Sequence, residues 1–152
     1  MMNKIKTKFF FLFLSFFITL IDQYTKYLLF NHFNIFIKKD FLLFRFEIVK
    51  NYGAAFNIFS GSRIFLSTIS IVFSVILIYL ILKEKNNNYI NLYSFSFILG
   101  GTIGNGLDRI LNGFVIDFIN LNIIDFPLFN IADLSINIGF IILLYSIFKK
   151  NR

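Results

Sequence analysis

Four long apolar stretches, separated by short polar segments, restrict this chain of 152 residues to a fold that lies in a lipid bilayer. A helix that crosses the hydrocarbon core needs about 20 mostly apolar residues. Hydrophobic residues make up 57% of the chain, more than a soluble domain of this size needs. We therefore predict an all-α membrane protein, with four transmembrane helices and a small extracytoplasmic β lobe. The predicted spans, within one polytopic membrane domain over residues 1–152, are 9–30, 64–82, 89–107 and 131–148.

The first apolar stretch also resembles a secretory signal peptide, because Lys4, Lys6 and Lys8 precede a short apolar core. No small-x-small cleavage site follows this core, and the chain turns polar and then apolar again. We therefore interpret the stretch as an uncleaved first membrane span with polar side chains at its outer end.

Residues 33–60 have a different pattern from the apolar stretches around them. Apolar and charged residues alternate from Phe44 to Ile48, which is the period of a half-buried strand, and Asn51 and Gly53 are typical of a turn. An open strand edge inside lipid would leave backbone groups unpaired at high cost. The segment is therefore predicted to form a lobe at the membrane surface.

The basic residues indicate how the chain crosses the membrane. The formal net charge is +7, from 15 Lys and Arg against 8 Asp and Glu. Four spans place both termini on one side, together with the turn that carries Lys83 and Lys85, so the positive-inside rule makes that side cytoplasmic. We expect no nucleic-acid partner, because the charges lie between apolar runs. The opposite face also carries Lys38, Lys39, Arg45, Lys50 and Arg63.

Four aspartates, Asp22, Asp108, Asp117 and Asp133, lie at or near the outer ends of the predicted spans. A charged side chain at membrane depth costs a few kcal/mol unless it is paired or hydrated, so such residues are functional candidates. The alternative is that all four lie in the headgroup region, where this cost disappears. Their clustering at one level favours a common site.

Carboxylates are the groups best able to carry hydrolytic chemistry in this chain. It has no Cys and one histidine, His32, so a thiol nucleophile is excluded, and a zinc site has almost no ligands to use. A Ser-Lys dyad with Lys26 stays formally possible, but no serine motif lies near it. Two aspartates held a few Å apart share one proton, so that one acts as a base towards water and the other as an acid. We expect no metal and no cofactor.

The polar residues fall into four segments whose order and content resemble those of the lipoprotein signal peptidase family, also called signal peptidase II, a family of intramembrane aspartyl proteases. Each motif is weak alone, but together with four spans and a matching length they are specific. The resemblance covers the chain from the first span to the last. The segments are Asp22 to Lys26, Asn51 to Phe56, Gly100 to Arg109 continuing through Gly113 to Phe118, and Phe129 to Asp133.

The resemblance implies a fold of four helices with an extracytoplasmic strand cradle and a short amphipathic helix, placed in the cytoplasmic (inner) membrane of a bacterium. It implies catalysis by Asp117 and Asp133, and a structural role for Asp108, paired with Arg109 or another local group. It also implies the substrate, a prolipoprotein whose Cys already carries diacylglycerol and which is cut just before that Cys, so membrane lipid and diacylglyceryl-prolipoproteins are the expected partners. The chain departs from the family where Thr102 replaces a frequent Ala and Leu134 a frequent Ser or Thr.

Further polar residues are candidates for binding the substrate backbone or supporting the site. The spacing of Asp22 and Lys26 allows an ion pair within the first helix that orients it. The alternative for Asn51, Asn105, Arg109 and Asn130 is that they satisfy loop backbone groups in a region without water. These candidates are Asn51, Asn105, Arg109 and Asn130, with Asn105 and Arg109 on one helix face.

Two other functions also fit a membrane protein with polar residues in its spans. A transporter or channel subunit would use them as an ion or proton path, although here they gather at one level instead of lining a crossing. A non-catalytic assembly factor would use the polar lobe to bind a partner, and it would tolerate replacement of Asp117 or Asp133 by Asn.

Overall fold

The structure, a computed structural model, describes residues 4–36, 41, 43–84, 88–124 and 126–150. Each of the four apolar stretches lies inside one helix, and a small two-stranded sheet accompanies them, so the mostly helical architecture with a minor β element is confirmed. The elements are α1 (Lys4–Phe36), β1 (Phe44–Asn51), a short 3₁₀ turn (Ala55–Asn57), α2 (Arg63–Lys83), α3 (Tyr89–Leu111), β2 (Val115–Leu121) and α4 (Ile131–Lys150).

Two helices, Arg63–Lys83 and the part of α4 from Ile131 to Lys149, are long and apolar enough to cross a membrane by length and composition alone, when only the described residues are considered. Their apolar side chains are largely directed away from the protein: Ile141 is 67% exposed and Val75 is 61% exposed. An outward apolar surface of this kind is expected where lipid replaces water around a helix.

Helix α3 lies in the middle of the bundle and contacts α1, α2 and α4. Glycines allow these close approaches, because a Cβ at Gly139 would lie 2.8 Å from the carbonyl oxygen of Ser94. Hydroxyl groups bond across the same crossings, where Ser94 Oγ donates to Gly139 O and Thr19 Oγ1 donates to Gly100 O, both at 2.9 Å. In lipid the hydrophobic effect does not drive helices together, so small residues that allow close packing and hydrogen bonds between helices hold them in contact.

The sheet consists of β1 and β2 in antiparallel pairing, with an irregularity in the register between Phe46 and Val49. Asp117 is paired with Val49, and Asn51 with Val115. The predicted strand is therefore present and extends to Asn51, whereas β2 was not foreseen, because its sequence had been interpreted only as a polar motif after the third span.

Two expectations about the lobe change. Its first residues, 33–36, belong to α1, which continues through a kink at His32, where the backbone is not helical (φ −122°, ψ 23°). Within the described residues of the lobe, no separate amphipathic helix is present, and the only further helical element is the 3₁₀ turn. Lys38 and Lys39 lie outside the described residues.

Candidate active site

The four polar segments meet at one end of the helix bundle, beneath the sheet. They supply a continuous network of hydrogen bonds that joins α1, α3, α4 and both strands. The predicted site residues that enter it are Asp22, Lys26, Asn51, Asn105, Asp108, Arg109, Asp117, Asn130 and Asp133.

Asp117 lies on β2 with only 3% of its surface exposed. Its Oδ1 accepts a hydrogen bond of 2.7 Å from Nδ2 of Asn130, and its Oδ2 accepts one of 3.0 Å from Nδ2 of Asn51. The orientation of the Asn51 amide is set by the backbone N–H of Gly53, which donates to its Oδ1 at 2.9 Å. Burial, and then the charge of nearby Asp133, raise the pKa of Asp117 to about 7, against the opposing effect of the two amide donors.

Asp133 lies in the first turn of α4, three residues after Asn130, which caps that helix. The two residues bond reciprocally: Asp133 N–H donates to Asn130 Oδ1 at 2.9 Å, and Asn130 N–H donates to Asp133 Oδ2 at 3.1 Å. This is the geometry of a capping box, and it places a carboxylate at the positive end of the helix dipole. The other oxygen, Oδ1, accepts from Nδ2 of Asn105 at 2.7 Å.

Asn130 is the residue that connects the two aspartates. It is fully buried, its side-chain N–H bonds reach Asp117, and its backbone N–H reaches Asp133. The same Nδ2 also lies 3.1 Å from Oδ1 of Asn105. Sequence reasoning assigned Asn130 a general supporting role and missed its capping function, for which the spacing Asn-x-x-Asp before an apolar run was the available signal.

A second group of charges lies beside this pair and is linked to it through Asn105. Lys26 Nζ is 2.8 Å from Asp22 Oδ2, 2.9 Å from Asp108 Oδ2 and 2.9 Å from Asn105 Oδ1, so all three of its protons have acceptors. The expected pair between Asp22 and Lys26 is present. Asp108, expected to pair with Arg109 or another local group, pairs with Lys26, which reaches it because α1 packs against α3.

The remaining oxygens of this second group are also occupied. Asp22 Oδ1 accepts from the backbone N–H of Ala132 at 2.9 Å, and Asp108 Oδ2 accepts from that of Ile116 at 3.2 Å. Gln23 Nε2 lies 3.2 Å from Asp22 Oδ2 and 3.1 Å from Asp108 Oδ1. Gln23 was overlooked as a site residue, although its place beside Asp22 at the polar end of the first span was a usable signal.

Arg109 ties α3 to the turn after β1. Its Nη2 donates to Gly53 O at 2.9 Å, and its Nη1 lies 3.4 Å from Asn105 O, so the shared helix face predicted for Asn105 and Arg109 is present. Arg63, the first residue of α2, donates from Nε to Arg109 O at 2.9 Å. The turn that orients Asn51 is thereby held against the helix that orients Asp133.

A cavity of about 850 Å³ opens onto the two aspartates. Asp117, Asp133 and Arg109 line its polar part, and apolar side chains of α2, α3 and α4 line the rest, among them Phe73, Ile98 and Phe140. Such a space has room for an extended peptide beside hydrocarbon chains. Among the described residues, no three His, Cys, Asp or Glu side chains are grouped so that they could hold a metal ion.

A family profile described as signal peptidase (SPase) II matches residues 14–149. The chain belongs to the signal peptidase II family. It is therefore an aspartic endopeptidase, and the resemblance found in its motifs is confirmed.

Relatives in distant bacteria support the same conclusion. A protein of Francisella tularensis subsp. novicida called lipoprotein signal peptidase is 40% identical over 99% of both chains. Proteins of that name are 39% identical in Nostoc punctiforme, over 91% of this chain and 87% of the relative, and 41% identical in Buchnera aphidicola subsp. Schizaphis graminum, over 96% and 97%.

Two solved structures of bacterial membrane enzymes share the fold. The first, obtained by the in meso method at 2.3 Å resolution, is 33% identical, with a TM-score of 0.85 over 93% of this chain and 88% of that one. The second, obtained by the same method at 1.9 Å resolution, is also 33% identical, with a TM-score of 0.80 over 90% and 91%. The chain is thus a membrane protein of the signal peptidase II family.

Proposed function

We propose that this endopeptidase removes the signal peptide from diacylglyceryl-modified prolipoproteins, cutting just before the lipidated Cys, and that Asp117 and Asp133 are its catalytic pair. The names of its relatives support the substrate class. The observation that carries the choice of aspartates is that Asn130 holds both of them at one end of the same cavity, through its side chain and its backbone.

The contacts of the four aspartates of the site separate them into two pairs. Asp22 and Asp108 both contact Lys26, so their charges are balanced in part by a buried ammonium group. Asp117 and Asp133 accept hydrogen bonds only from amide N–H groups among the described residues, and both line the cavity. A pair that makes no direct ion pair among the described residues is suited to share a proton, which is the property that acid–base catalysis needs.

In the proposed reaction, Asp133 acts first as base and Asp117 as acid. Asp133 takes a proton from water as the water oxygen attacks the scissile carbonyl carbon, and Asp117 gives its proton to the carbonyl oxygen, which produces a neutral tetrahedral diol. Collapse of the diol breaks the C–N bond as the amine of the lipidated Cys takes up the proton held by Asp133. One hydroxyl group of the diol returns its proton to Asp117 as the carboxyl product forms. A pKa of about 7 suits Asp117 to this exchange near neutral pH.

The proposed orientation has four membrane spans, both termini in the cytoplasm and the sheet on the outer side of the bacterial inner membrane. Lys6, Lys8 and Lys83 lie at one end of the bundle, where Lys8 Nζ donates to Leu82 O, and Lys149 lies at the end of α4. The two aspartates lie at the opposite end. Clustered basic residues favour the cytoplasmic side, and the aspartates then face the side on which exported substrates are processed.

Cleavage by the purified protein is the direct test. A prolipoprotein whose Cys carries diacylglycerol is expected to release its signal peptide by hydrolysis immediately before that Cys, as read by mass spectrometry of both products. The same prolipoprotein without the lipid is expected to be cut far more slowly, because the acyl chains place the scissile bond at the aspartates. Equal rates for both substrates would contradict the substrate assignment, and proton or ion flux in liposomes without cleavage would favour a transporter.

A further inference from the structure

We propose that Thr102 and Asn137 are specificity-determining residues that donate hydrogen bonds to the ester carbonyls of the substrate's diacylglyceryl group. The inference rests on the proposed function and adds the way in which the enzyme distinguishes an ester-linked lipid from any other pair of hydrocarbon chains.

Both residues line the cavity, in the part where its walls are otherwise formed by apolar side chains such as Ile98, Ile136 and Phe140. Thr102 is partly buried in α3, and Asn137 is exposed on α4. Within the described part of the chain, neither side chain has a hydrogen-bonding partner. A polar group that faces hydrocarbon without a partner is costly, so two of them on one wall are well placed to bond a polar group of a ligand.

Thr102 differs in this respect from six other hydroxyl residues in the helices. Those side chains donate to the carbonyl four residues earlier in their own helix, which removes their need for another partner. The hydroxyl of Thr102 makes no such bond to Ile98 in the described structure and is left available to the cavity. The residues that bond back are Ser15, Thr19, Thr68, Ser70, Ser74 and Ser96.

The positions of the two residues along their helices place them at one depth. Thr102 precedes Asn105 by three residues, and Asn137 follows Asp133 by four. Asn105 bonds to Asp133, so these two residues lie at one level. Because α3 and α4 are antiparallel, going from Asn105 back to Thr102 and from Asp133 on to Asn137 leads in the same direction, away from the sheet and into the apolar part of the cavity. At about 1.5 Å per residue, Thr102 lies about 4.5 Å and Asn137 about 6 Å beyond the level of that contact.

The chemistry of the substrate matches this depth. A diacylglyceryl group joined to a Cys sulfur carries two ester carbonyls, which are hydrogen-bond acceptors, between the peptide and the hydrocarbon chains. When the scissile carbonyl lies at the aspartates, the Cys side chain and the glycerol carry these acceptors a short distance further into the cavity. The hydroxyl of Thr102 and the amide of Asn137 are donors at that distance, whereas the walls around them can only accommodate the chains.

The test compares two substrates on matched enzymes. One lipopeptide carries a 1,2-diacylglyceryl thioether, and the other a 1,2-dialkylglyceryl thioether with the same chain lengths but without ester carbonyls. Wild type is expected to cleave the diacyl form with the higher kcat/KM. Thr102→Val and Asn137→Leu should each lower kcat/KM for the diacyl form about fivefold to tenfold, the effect of one hydrogen bond, and leave the dialkyl form unchanged.

Control variants separate this effect from folding. Thr102→Ser retains the hydroxyl and should retain the preference for the ester. Thr68→Val makes the same change at an exposed position whose hydroxyl bonds to Ile64 O, and it should leave both substrates unaffected. The proposal would be overturned if kcat/KM fell equally for both substrates or for neither. It would also be overturned if Asn137→Leu changed the oligomeric state without any dependence on the substrate. Wild type that cleaves neither lipopeptide would instead refute the proposed function.

Discussion

Lys26 Nζ lies 2.9 Å from Oδ2 of Asp108, and both side chains are almost completely buried. The contact joins α1 to α3 and fixes the level at which the polar end of the first helix meets the active-site segment. Because Asp22 contacts the same ammonium group at 2.8 Å, two carboxylates depend on a single buried cation.

Replacing Lys26 by Met should therefore destabilise the protein strongly. The change keeps the shape of the side chain but leaves two buried carboxylates without their cation, an effect of roughly 3–5 kcal/mol. Thermal unfolding of the purified protein measures it. Arg45→Met is the matched control, because Arg45 pairs with Glu47 at 3.3 Å on an exposed surface, where such pairs contribute at most about 1 kcal/mol. A Lys26→Met protein as stable as wild type would show that the buried cation is dispensable.

The same contact shows where sequence reasoning reached its limit. The apolar stretches predicted all four helices, because the length and composition of such stretches are local properties. That the partner of Asp108 is Lys26 depends on how α1 packs on α3, which no local pattern contains. The sequence could predict only Arg109 or another local group as that partner.

Strand β2 was missed for a related reason. Val115–Leu121 pairs with β1, a segment far away in the chain. The first half of the strand is buried on both faces, so its sequence does not show the alternation of apolar and polar residues that marks a half-buried strand. The family was nevertheless recognised correctly from the four polar segments, because their order and content are specific when taken together. The assignment of Asp117 and Asp133 as the catalytic pair stays a prediction, supported by the network around Asn130.

The membrane orientation can be tested with single cysteines, since the chain has none of its own. Cys in place of Ile123, which is 68% exposed next to β2, should react with an impermeant maleimide added to intact spheroplasts. Cys in place of Lys83, exposed at the end of α2, should react only after the membrane is permeabilised. Labelling of both positions from the same side would contradict the four-span arrangement.

Gly101→Ala should impair catalysis through the position of α4. A Cβ at Gly101 would overlap the carbonyl oxygen of Ala132, the residue before Asp133. Backbone atoms cannot move aside as a flexible side chain can, so α4 must shift, with a loss of about 1–3 kcal/mol in stability and a lower kcat.

Gly139→Ala provides the comparison for that prediction. It creates a similar overlap on the same helix pair, 2.8 Å from Ser94 O, but farther from the aspartates. We expect a similar loss of thermal stability and a kcat close to wild type in the folded fraction. If both variants lose kcat equally, the effect of Gly101 is general destabilisation and not displacement of Asp133.

The pH profile of cleavage should depend on Asn51. Activity requires a protonated Asp117, whose pKa is about 7, so turnover should fall as the pH rises above about 7. The amide of Asn51 donates to Asp117 Oδ2 and favours the ionised form, so Asn51→Leu should raise this pKa and move the alkaline limb to higher pH. Asn120→Leu, on β2 like Asp117 but bonded to Glu47, should leave the limb in place. An alkaline limb that does not move in Asn51→Leu would show that the ionisation of Asp117 does not set this limb.

The catalytic pair itself is tested by substitutions that preserve shape. Asn cannot act as a general base or acid, so Asp117→Asn and Asp133→Asn should each lower kcat by at least about a thousandfold. Binding of the lipidated substrate should largely survive, because the cavity walls are unchanged. The double variant should be little worse than either single one, since the two residues work as a unit. Single-turnover cleavage and substrate-binding measurements on protein shown to be folded provide these values.

Asp108→Asn is the control that distinguishes this pair from the other buried carboxylates. Asp108 accepts from Lys26, Gln23 and the backbone of Ile116, so the variant should lose stability while whatever folds still cleaves substrate. A folded Asp117→Asn or Asp133→Asn protein with near-normal turnover would refute the assignment. A folded but inactive Asp108→Asn protein would mean that the group around Lys26 takes part in the chemistry, because the loss could then not be explained by the bonds that Asp108 makes to hold α1 and α3 together.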